Sequence, residues 1–363
     1  MGPRAELLDG TLEHIAALAN SPRRDRGATR AIYSYPAKFQ AHLPAELIRL
    51  FTVPGDLVVD PFSGGGTTGL EALLGGRRFV GVDINPFGCL LARVKTTPIR
   101  SYDAASILDQ VVRSRERRPI LDADDELLLG PAISEEIAML VAGIDAAPPG
   151  PPADLLRVAL VHTLKIAGRR DFDAASILPA FRRRAGQIAR AADALPREGP
   201  TPSFRLGSAH DLPEVEDGSA RLVVTSPPYK DLDVEYGLLQ IQRRALKRSK
   251  RSRAIFALLG AEPLPKAVLC GGRGAVYHER IRPALAEIRR ILEPSATAFF
   301  WIGFKTYEDR QIFVGTLEDV GLAPRHLVAV GLGRDRVASS RSTHHGRDTG
   351  MLARDYLICC DCL

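Results

Sequence analysis

The chain has 363 residues and a formal net charge of +6, and 45% of its residues are hydrophobic, so it can bury a substantial core. Its 32 glycines and 26 prolines are too few for a low-complexity chain, and no apolar run approaches the ~18 residues that span a bilayer. Composition therefore excludes global disorder and predicts no membrane partner. Because five cysteines in a chain of this length form no disulfide framework, we expect the reducing cytoplasm.

Residues 1–98 combine a polar arm with one βαβ unit. We assign residues 1–30 to the arm and residues 31–98 to the first part of an α/β domain. A strand, a glycine-rich turn, a helix and a second strand follow one another there, which predicts a parallel sheet. The predicted elements are helices over Leu7–Leu18 and Leu43–Phe51, a strand over Leu57–Asp60, a helix ending near Leu74 and a strand over Phe79–Asp83.

Residues 99–202 are mostly helical and interrupt this sheet, so we interpret them as a helical insertion between two strands. The sheet resumes in residues 203–363, which include a basic segment over 231–276. The final strand, Asp355–Cys360, is predicted to pair antiparallel with the strand before it. Predicted helices cover Ala104–Arg117, Ser134–Ile144, Ala153–Ala167, Ala175–Ala194, Tyr277–Leu292 and Asp309–Val320, and predicted strands cover Ser203–Leu206, Leu222–Thr225, Ala296–Gly303 and His326–Leu332.

The glycine-rich turn after the first strand has two interpretations. The glycines of Gly64–Gly69, with Asp83 about twenty residues later, match a dinucleotide-binding pattern, in which the acid binds ribose hydroxyls. Asp60, however, ends the strand where a pyrophosphate would sit, and like charges repel there. Because a cationic ammonium and sulfonium would instead be attracted, the turn favours S-adenosylmethionine over NAD.

A proline-rich turn, Thr225-Ser226-Pro227-Pro228-Tyr229, follows another apolar strand. Its two prolines fix φ and remove two N–H donors, so the carbonyl groups there are not satisfied by a local helix. Ligands in parallel α/β sheets bind at this end of the strands. The carbonyl groups and the Ser226 hydroxyl would accept hydrogen bonds from a planar aromatic amine, and Tyr229 would stack on its ring. A plain turn leaving the sheet is the alternative.

Together, Asp60-Pro61-Phe62-x-Gly64-x-Gly66-Thr67-Thr68 and the proline-rich turn resemble the motifs of the amino-methylating DNA methyltransferases, which use S-adenosylmethionine. The Ser-Pro-Pro-Tyr form resembles the N4-cytosine subgroup, whereas adenine-N6 and guanine-N2 RNA enzymes more often begin that tetrapeptide with Asp or Asn. Tyr35-Pro36-Ala37-Lys38-Phe39 resembles the family's cofactor lid. The resemblance covers residues 31–98 and 203–363 and implies a Rossmann-like methyltransferase sheet that is mostly parallel, with the last strand antiparallel.

The resemblance also implies roles for individual residues. The cofactor's methionine end would contact Asp60 and the 62–67 loop, and its ribose would contact Asp83. The target amine would bind Ser226 and the Pro227 carbonyl, with Tyr229 stacked on the extruded base, and no metal ion is expected. The implied catalytic residues are Ser226, Pro227, Pro228 and Tyr229, and the implied cofactor-binding residues are Lys38, Phe39, Asp60, Pro61, Phe62, Gly64, Gly66, Thr67, Asp83, Asn85 and Thr225.

A run of cations follows the proline-rich turn. Residues 243–253 contain seven cations and no acid, which favours contact with DNA phosphates over a solvated helix face. The cluster Arg182–Arg184 is a weaker candidate for the same role, and a solvated face is equally acceptable there. The predicted DNA-binding residues are Arg243, Arg244, Lys247, Arg248, Lys250 and Arg251.

We therefore expect a site-specific DNA methyltransferase, a modification methylase, that acts on the N4 amine of a flipped cytosine. Double-stranded DNA is the expected partner, and a cognate restriction endonuclease is a second candidate partner. An adenine-N6 DNA or RNA amino-methyltransferase of the same fold is the first alternative. A catalytically silent DNA-binding regulator is the second.

Overall fold

One seven-stranded sheet organises the chain, which a computed structural model describes over residues 7–20, 32, 40–114, 131–167, 173–230, 274, 276–330 and 354–362. The order across the sheet is β3-β2-β1-β4-β5-β7-β6. In chain order the strands are β1 Leu57–Asp60, β2 Arg78–Asp83, β3 Ser203–Leu206, β4 Ala220–Thr225, β5 Leu292–Phe304, β6 Leu322–Val330 and β7 Arg354–Cys362.

The described helices confirm the predicted ones and add one between β2 and the insertion. None of the described helices is long and apolar enough to cross a membrane. The helices are α1 Leu7–Ala19, α2 His42–Phe51, α3 Thr67–Leu74, α4 Pro86–Thr96, α5 Ser101–Arg113, α6 Pro131–Ala146, α7 Pro151–Ala167, α8 Ile177–Asp193, α9 Val276–Ile291 and α10 Tyr307–Asp319.

The sheet is parallel except for β7, as predicted. β1 pairs in parallel with β2 on one side and with β4 on the other, whereas β7 runs antiparallel to both β5 and β6. Successive strands β1, β2 and β3 extend outwards in one half of the sheet, and β4 and β5 extend outwards in the other, where the last strand, β7, lies between β5 and the edge strand β6. The strand order reverses between β1 and β4, and the carboxyl ends of the strands at such a reversal form the ligand-binding crevice of open α/β sheets.

The strand β6 begins four residues earlier than the predicted strand His326–Leu332. Its first half contains Pro324, which pairs opposite Cys360 beside an irregularity in the register. Proline cannot donate to a ladder, but β6 lies at the edge of the sheet, where a proline is tolerated. The sequence pattern could not distinguish an edge strand from a turn at this position. Residues 331 and 332 lie outside the described residues.

The helix α4 was not predicted, although its starting signal is present in the sequence. Asn85 is its N-cap, and the side chain of Asn85 accepts hydrogen bonds from the backbone N–H groups of Phe87 (3.0 Å) and Gly88 (3.4 Å). Pro86 occupies the first helical turn, where its missing N–H costs nothing. The helix follows directly from β2 and completes a second strand-to-helix crossing at the carboxyl edge of the sheet.

Three large hydrophobic cores and one small cluster hold the described elements together. Neighbouring residues of a strand face opposite sides of the sheet, so Val58 packs in the core that includes α1 and α2, and Val59 packs in the core that includes α9 and α10. The third core joins α5, α6, α7 and α8 to fully buried side chains of α4, including Phe87 and Leu91. The helices between α4 and β3 thus have a core of their own, anchored on α4.

Candidate active site at the carboxyl edge of the sheet

The glycine-rich loop between β1 and α3 wraps around the end of β2. The backbone N–H of Ser63 donates to the Val82 carbonyl (3.0 Å), and that of Gly64 donates to Oδ2 of Asp83 (2.7 Å). Gly66 has a φ of 71°, and a Cβ at this position would lie 2.6 Å from the Cβ of Ala92 in α4. A glycine is required here because both the left-handed backbone and the close approach of α4 exclude a side chain.

Asp83 ends β2 beside this loop and remains partly accessible. Its Oδ1 accepts from the backbone N–H of Asn85 (2.8 Å), and its Oδ2 accepts from that of Gly64 (2.7 Å). Each carboxylate oxygen has the capacity for a further hydrogen bond. Burial raises the pKa of Asp83 to about 6, although the two backbone hydrogen bonds lower it. The group is therefore a fixed acceptor suited to hydroxyl donors such as those of a ribose.

Asp60, at the end of β1, has a different environment, because the residue is 2% exposed and its carboxylate accepts from protein donors. Oδ1 accepts from the Thr225 hydroxyl (2.6 Å) and from the Phe62 N–H (3.2 Å), and Oδ2 accepts from the Thr68 hydroxyl (2.8 Å). Burial, with a smaller contribution from the charge of Asp83, raises its pKa to about 6 against these hydrogen bonds. Asp60 therefore ties β1, α3 and β4 together, a role that sequence reasoning missed.

The Ser-Pro-Pro-Tyr turn continues from β4 and rests on β5. The Ser226 hydroxyl donates to the Trp301 carbonyl (2.9 Å), which leaves its lone pairs as acceptors. The Tyr229 ring lies against Gly303, where a Cβ would come within 3.0 Å of Cε2 of Tyr229 and 2.7 Å of Oδ1 of Asp355. Pro227 is buried, and Pro228 and Tyr229 are partly exposed.

Two further polar groups are buried in the glycine-rich loop. Lys95 of α4 is 1% exposed, and its Nζ donates to the Gly65 carbonyl at 2.6 Å. This hydrogen bond attaches the loop to α4. The Ser63 hydroxyl is also buried, with 6% of the residue exposed, and it has no hydrogen-bond partner among the described residues. Because an unsatisfied buried hydroxyl is costly, Ser63 indicates a loop that is completed by a polar ligand.

The structure brings together most of the predicted cofactor-binding and catalytic residues. Asn85 uses its side-chain oxygen to cap α4, so its contact with a cofactor stays a prediction, as do those of Asp60 and Thr225. The remaining loop residues lie at the same edge: Pro61 and Thr67 are buried, and Phe62 is partly buried. Lys38, Phe39 and the cations of residues 243–251 lie outside the described residues.

The remaining candidates for DNA-binding and metal-binding residues lie away from this edge of the sheet or form no site. Arg182 and Arg183 are exposed on α8, in the helical insertion. Within the described part of the chain, no group of three or more His, Cys, Asp or Glu side chains is placed to hold a metal ion. Thr68, Lys95 and Gly303 were not predicted as site residues. The partner of Thr68 is only eight residues away, whereas the partners of Lys95 and Gly303 lie far away in the sequence.

Comparisons with known proteins find similarity over part of the chain. Residues 15–93, which include β1, the glycine-rich loop and β2, match the model of a family described as DNA methylase. A 101-residue segment is 34% identical to the Type II methyltransferase M.MjaII of Methanocaldococcus jannaschii, covering 27% of this chain and 18% of that protein. A 55-residue segment is 46% identical to the Type II methyltransferase M.PvuII of Proteus hauseri, covering 15% of this chain and 16% of that protein.

A third relative carries its target base in its name. A 52-residue segment is 40% identical to the DNA adenine methyltransferase YhdJ of Escherichia coli, covering 14% of this chain and 18% of that protein. The chain thus aligns with less than a fifth of the length of each of these three relatives. The segment that forms the glycine-rich loop and its flanking strands accordingly lies within the match to the DNA methylase family.

Proposed function

We propose that the chain is an S-adenosylmethionine-dependent DNA methyltransferase that acts on the exocyclic N4 amine of a flipped cytosine in double-stranded DNA, in the cytoplasm. The observation that carries this proposal is the hydrogen bond from Thr225 to Asp60, between residues 165 positions apart. It joins the glycine-rich loop to the Ser-Pro-Pro-Tyr turn at the reversal of strand order. A donor bound at the loop and an amine bound at the turn would therefore be neighbours.

The loop residues suit a nucleoside with a cationic end. Asp83 offers acceptors to ribose hydroxyls, and the buried Ser63 hydroxyl offers a polar group that the protein itself does not satisfy. The ionised carboxylate of Asp60 beside the loop disfavours a pyrophosphate and favours a cation. When bound, S-adenosylmethionine supplies an electrophilic methyl group on a sulfonium. These features support this donor over NAD.

The turn supplies acceptors for the target amine. An exocyclic amine is a weak nucleophile because its lone pair is delocalised into the ring. The Ser226 oxygen and the Pro227 carbonyl would accept hydrogen bonds from its two N–H groups. This arrangement favours a pyramidal nitrogen with a localised lone pair. Tyr229 would stack on the base, whose extrusion from the duplex costs a few kcal/mol. The contribution of this chain is positioning and electrostatics, and no covalent intermediate is required.

Serine at position 226 supports cytosine-N4 as the target, through the resemblance of Ser-Pro-Pro-Tyr to that subgroup. Adenine-N6 is the second candidate, because YhdJ, to which a segment of the chain is similar, is a DNA adenine methyltransferase. Both amines would use the same two acceptors, so the chemistry of the turn suits either base. A restriction endonuclease as partner would accompany a modification methylase of either specificity.

The test is methyl transfer by the purified chain from S-adenosylmethionine to unmethylated plasmid DNA, followed by mass spectrometry of the nucleosides. We expect N4-methylcytosine, and N6-methyladenine alone would make the base assignment wrong. Ser226→Ala should lower kcat by about a hundredfold, as for removal of one oriented hydrogen-bonding group, and leave the Kd for S-adenosylmethionine within about twofold. Absence of transfer and of donor binding in the unaltered chain would refute the proposal.

A further inference from the structure

An ion pair fixes the residue that follows the Ser-Pro-Pro-Tyr turn. Lys230 comes directly after Tyr229, and its ammonium pairs with Oδ1 of Asp309 in the first turn of α10. The pair is largely shielded from water, because the Lys230 side chain is 20% exposed and that of Asp309 is 9% exposed. Shielded pairs are less screened by salt than surface pairs, so this contact constrains the turn more than an exposed one would.

The carboxylate of Asp309 is itself held in place. The backbone N–H of Asp309 donates to Oγ1 of Thr306 (3.1 Å), the N-cap of α10, so Asp309 occupies a fixed position at the start of the helix. The start of a helix favours a negative charge. Burial opposes ionisation, but the hydrogen bond from Lys230 and that involving Thr306 keep the pKa of Asp309 below its ordinary value.

His278, on α9, lies beside this carboxylate, farther from it than the Lys230 ammonium. Its Nε2 is 3.9 Å from Oδ1 of Asp309, and neither ring nitrogen has a hydrogen-bond partner among the described residues. Burial and the positive charge of Lys230 lower the pKa of His278, against the attraction of Asp309. These effects disfavour the charged form of His278, so Lys230 is the nearer and charged partner of Asp309.

The turn is thus attached at both ends. Ser226 is bonded to the Trp301 carbonyl of β5 at one end, and Lys230 is bonded to α10 at the other, with Tyr229 between them against Gly303. We infer that Lys230 is a positioning residue, which acts through Asp309 to hold the Tyr229 ring where the extruded base stacks. This inference rests on the proposed function.

An ion pair between α9 and α10 provides a control at the same helix, α10. Arg282 of α9 and Asp319 of α10 pair at 2.8 Å, but their side chains are 52% and 60% exposed, and the pair is not attached to the turn. Exposed pairs of this kind contribute little to stability. Loss of the exposed pair therefore controls for removal of a cation near α10, and the Kd for S-adenosylmethionine controls for a general loss of structure in the Lys230 variants.

The experiment compares Lys230→Met, Lys230→Arg, Asp309→Asn and Arg282→Met in methyl transfer to plasmid DNA. We expect Lys230→Met and Asp309→Asn to lower kcat about ten- to a hundredfold through misplacement of the base, with the KM for DNA and the Kd for S-adenosylmethionine within about threefold. Lys230→Arg should restore most of kcat, and Arg282→Met should match the unaltered chain. The double variant Lys230→Met with Asp309→Asn should be no slower than either single variant, because both remove one contact.

Three results would overturn the inference: an unchanged kcat in both Lys230→Met and Asp309→Asn, an equal effect of Arg282→Met, or a loss of donor binding that parallels the loss of kcat. Asp309→Asn keeps the shape of the side chain, so it serves if Lys230→Met does not fold. An unaltered chain that transfers no methyl group would refute the proposed function and this inference with it. An active unaltered chain with unaffected Lys230 variants would refute the inference alone.

Discussion

The hydrogen bond between Thr225 and Asp60 makes a quantitative prediction for Thr225→Val. Valine keeps the shape of threonine and removes the hydroxyl that donates to Oδ1 of Asp60 at 2.6 Å. Thr225 is fully buried, so water does not replace this donor without rearrangement. Hydrogen bonds to charged groups contribute about 1.5–3 kcal/mol, and we expect Thr225→Val to lower the free energy of unfolding by about 2 kcal/mol at pH 8.

The loss should depend on pH in a defined direction. Burial raises the pKa of Asp60 to about 6, so its ionisation favours the unfolded chain as pH rises from about 4 through 6. Loss of the Thr225 hydroxyl raises the pKa of Asp60 further, so the ionised carboxylate destabilises the folded chain more at pH values above that pKa. At pH 5 Asp60 is mainly protonated, and a neutral hydrogen bond is about half as strong, so the loss should fall to about 1 kcal/mol.

The assay is urea denaturation of the unaltered chain, Thr225→Val and Thr225→Ser at pH 5 and pH 8. Thr225→Ser keeps the hydroxyl and removes one methyl group, so its loss of about 0.8 kcal/mol should be the same at both pH values. Titration of Asp83 is common to all three proteins and cancels in the differences. Equal losses for the valine and serine variants at pH 8, or a valine loss that does not change with pH, would refute the reasoning.

Three further predictions concern the same edge of the sheet. Gly303→Ala places a Cβ 2.7 Å from Oδ1 of Asp355 and 3.0 Å from the Tyr229 ring. Steady-state kinetics should therefore show a lower kcat, while the affinity for S-adenosylmethionine is retained. An unaffected kcat would contradict this prediction. Asn85→Ala removes the cap of α4 and should cost about 1 kcal/mol in denaturation experiments, whereas Asn85→Asp should be nearly neutral, and equal losses would exclude capping as the cause. Because the pKa of Asp83 is raised to about 6, the affinity for S-adenosylmethionine measured by calorimetry should fall as pH falls through 6. The Asp83→Asn variant should bind S-adenosylmethionine weakly and with a smaller pH dependence. If that variant kept the same pH profile, the pH dependence would belong to another group.

Local sequence signals predicted the elements of the sheet and the two turns that form its edge. The glycine-rich turn and the Ser-Pro-Pro-Tyr turn were identifiable because glycine and proline restrict backbone geometry wherever they occur. The cap at Asn85 was equally local, and α4 could have been predicted from Asn85-Pro86. The start of β6 could not, because only its place at the edge of the sheet makes Pro324 acceptable.

The amino-acid sequence by itself determined the βαβ unit, the order of the strands along the chain and the residue types at the edge of the sheet. Only the tertiary structure decided that the Asp60 carboxylate accepts hydrogen bonds from Thr68 and Thr225, and that Lys230 pairs with Asp309. The physical reason is that periodicity, caps and turns depend on neighbours within a few residues. A buried hydrogen bond or ion pair depends instead on which strands become adjacent, and that is established only when the sheet assembles.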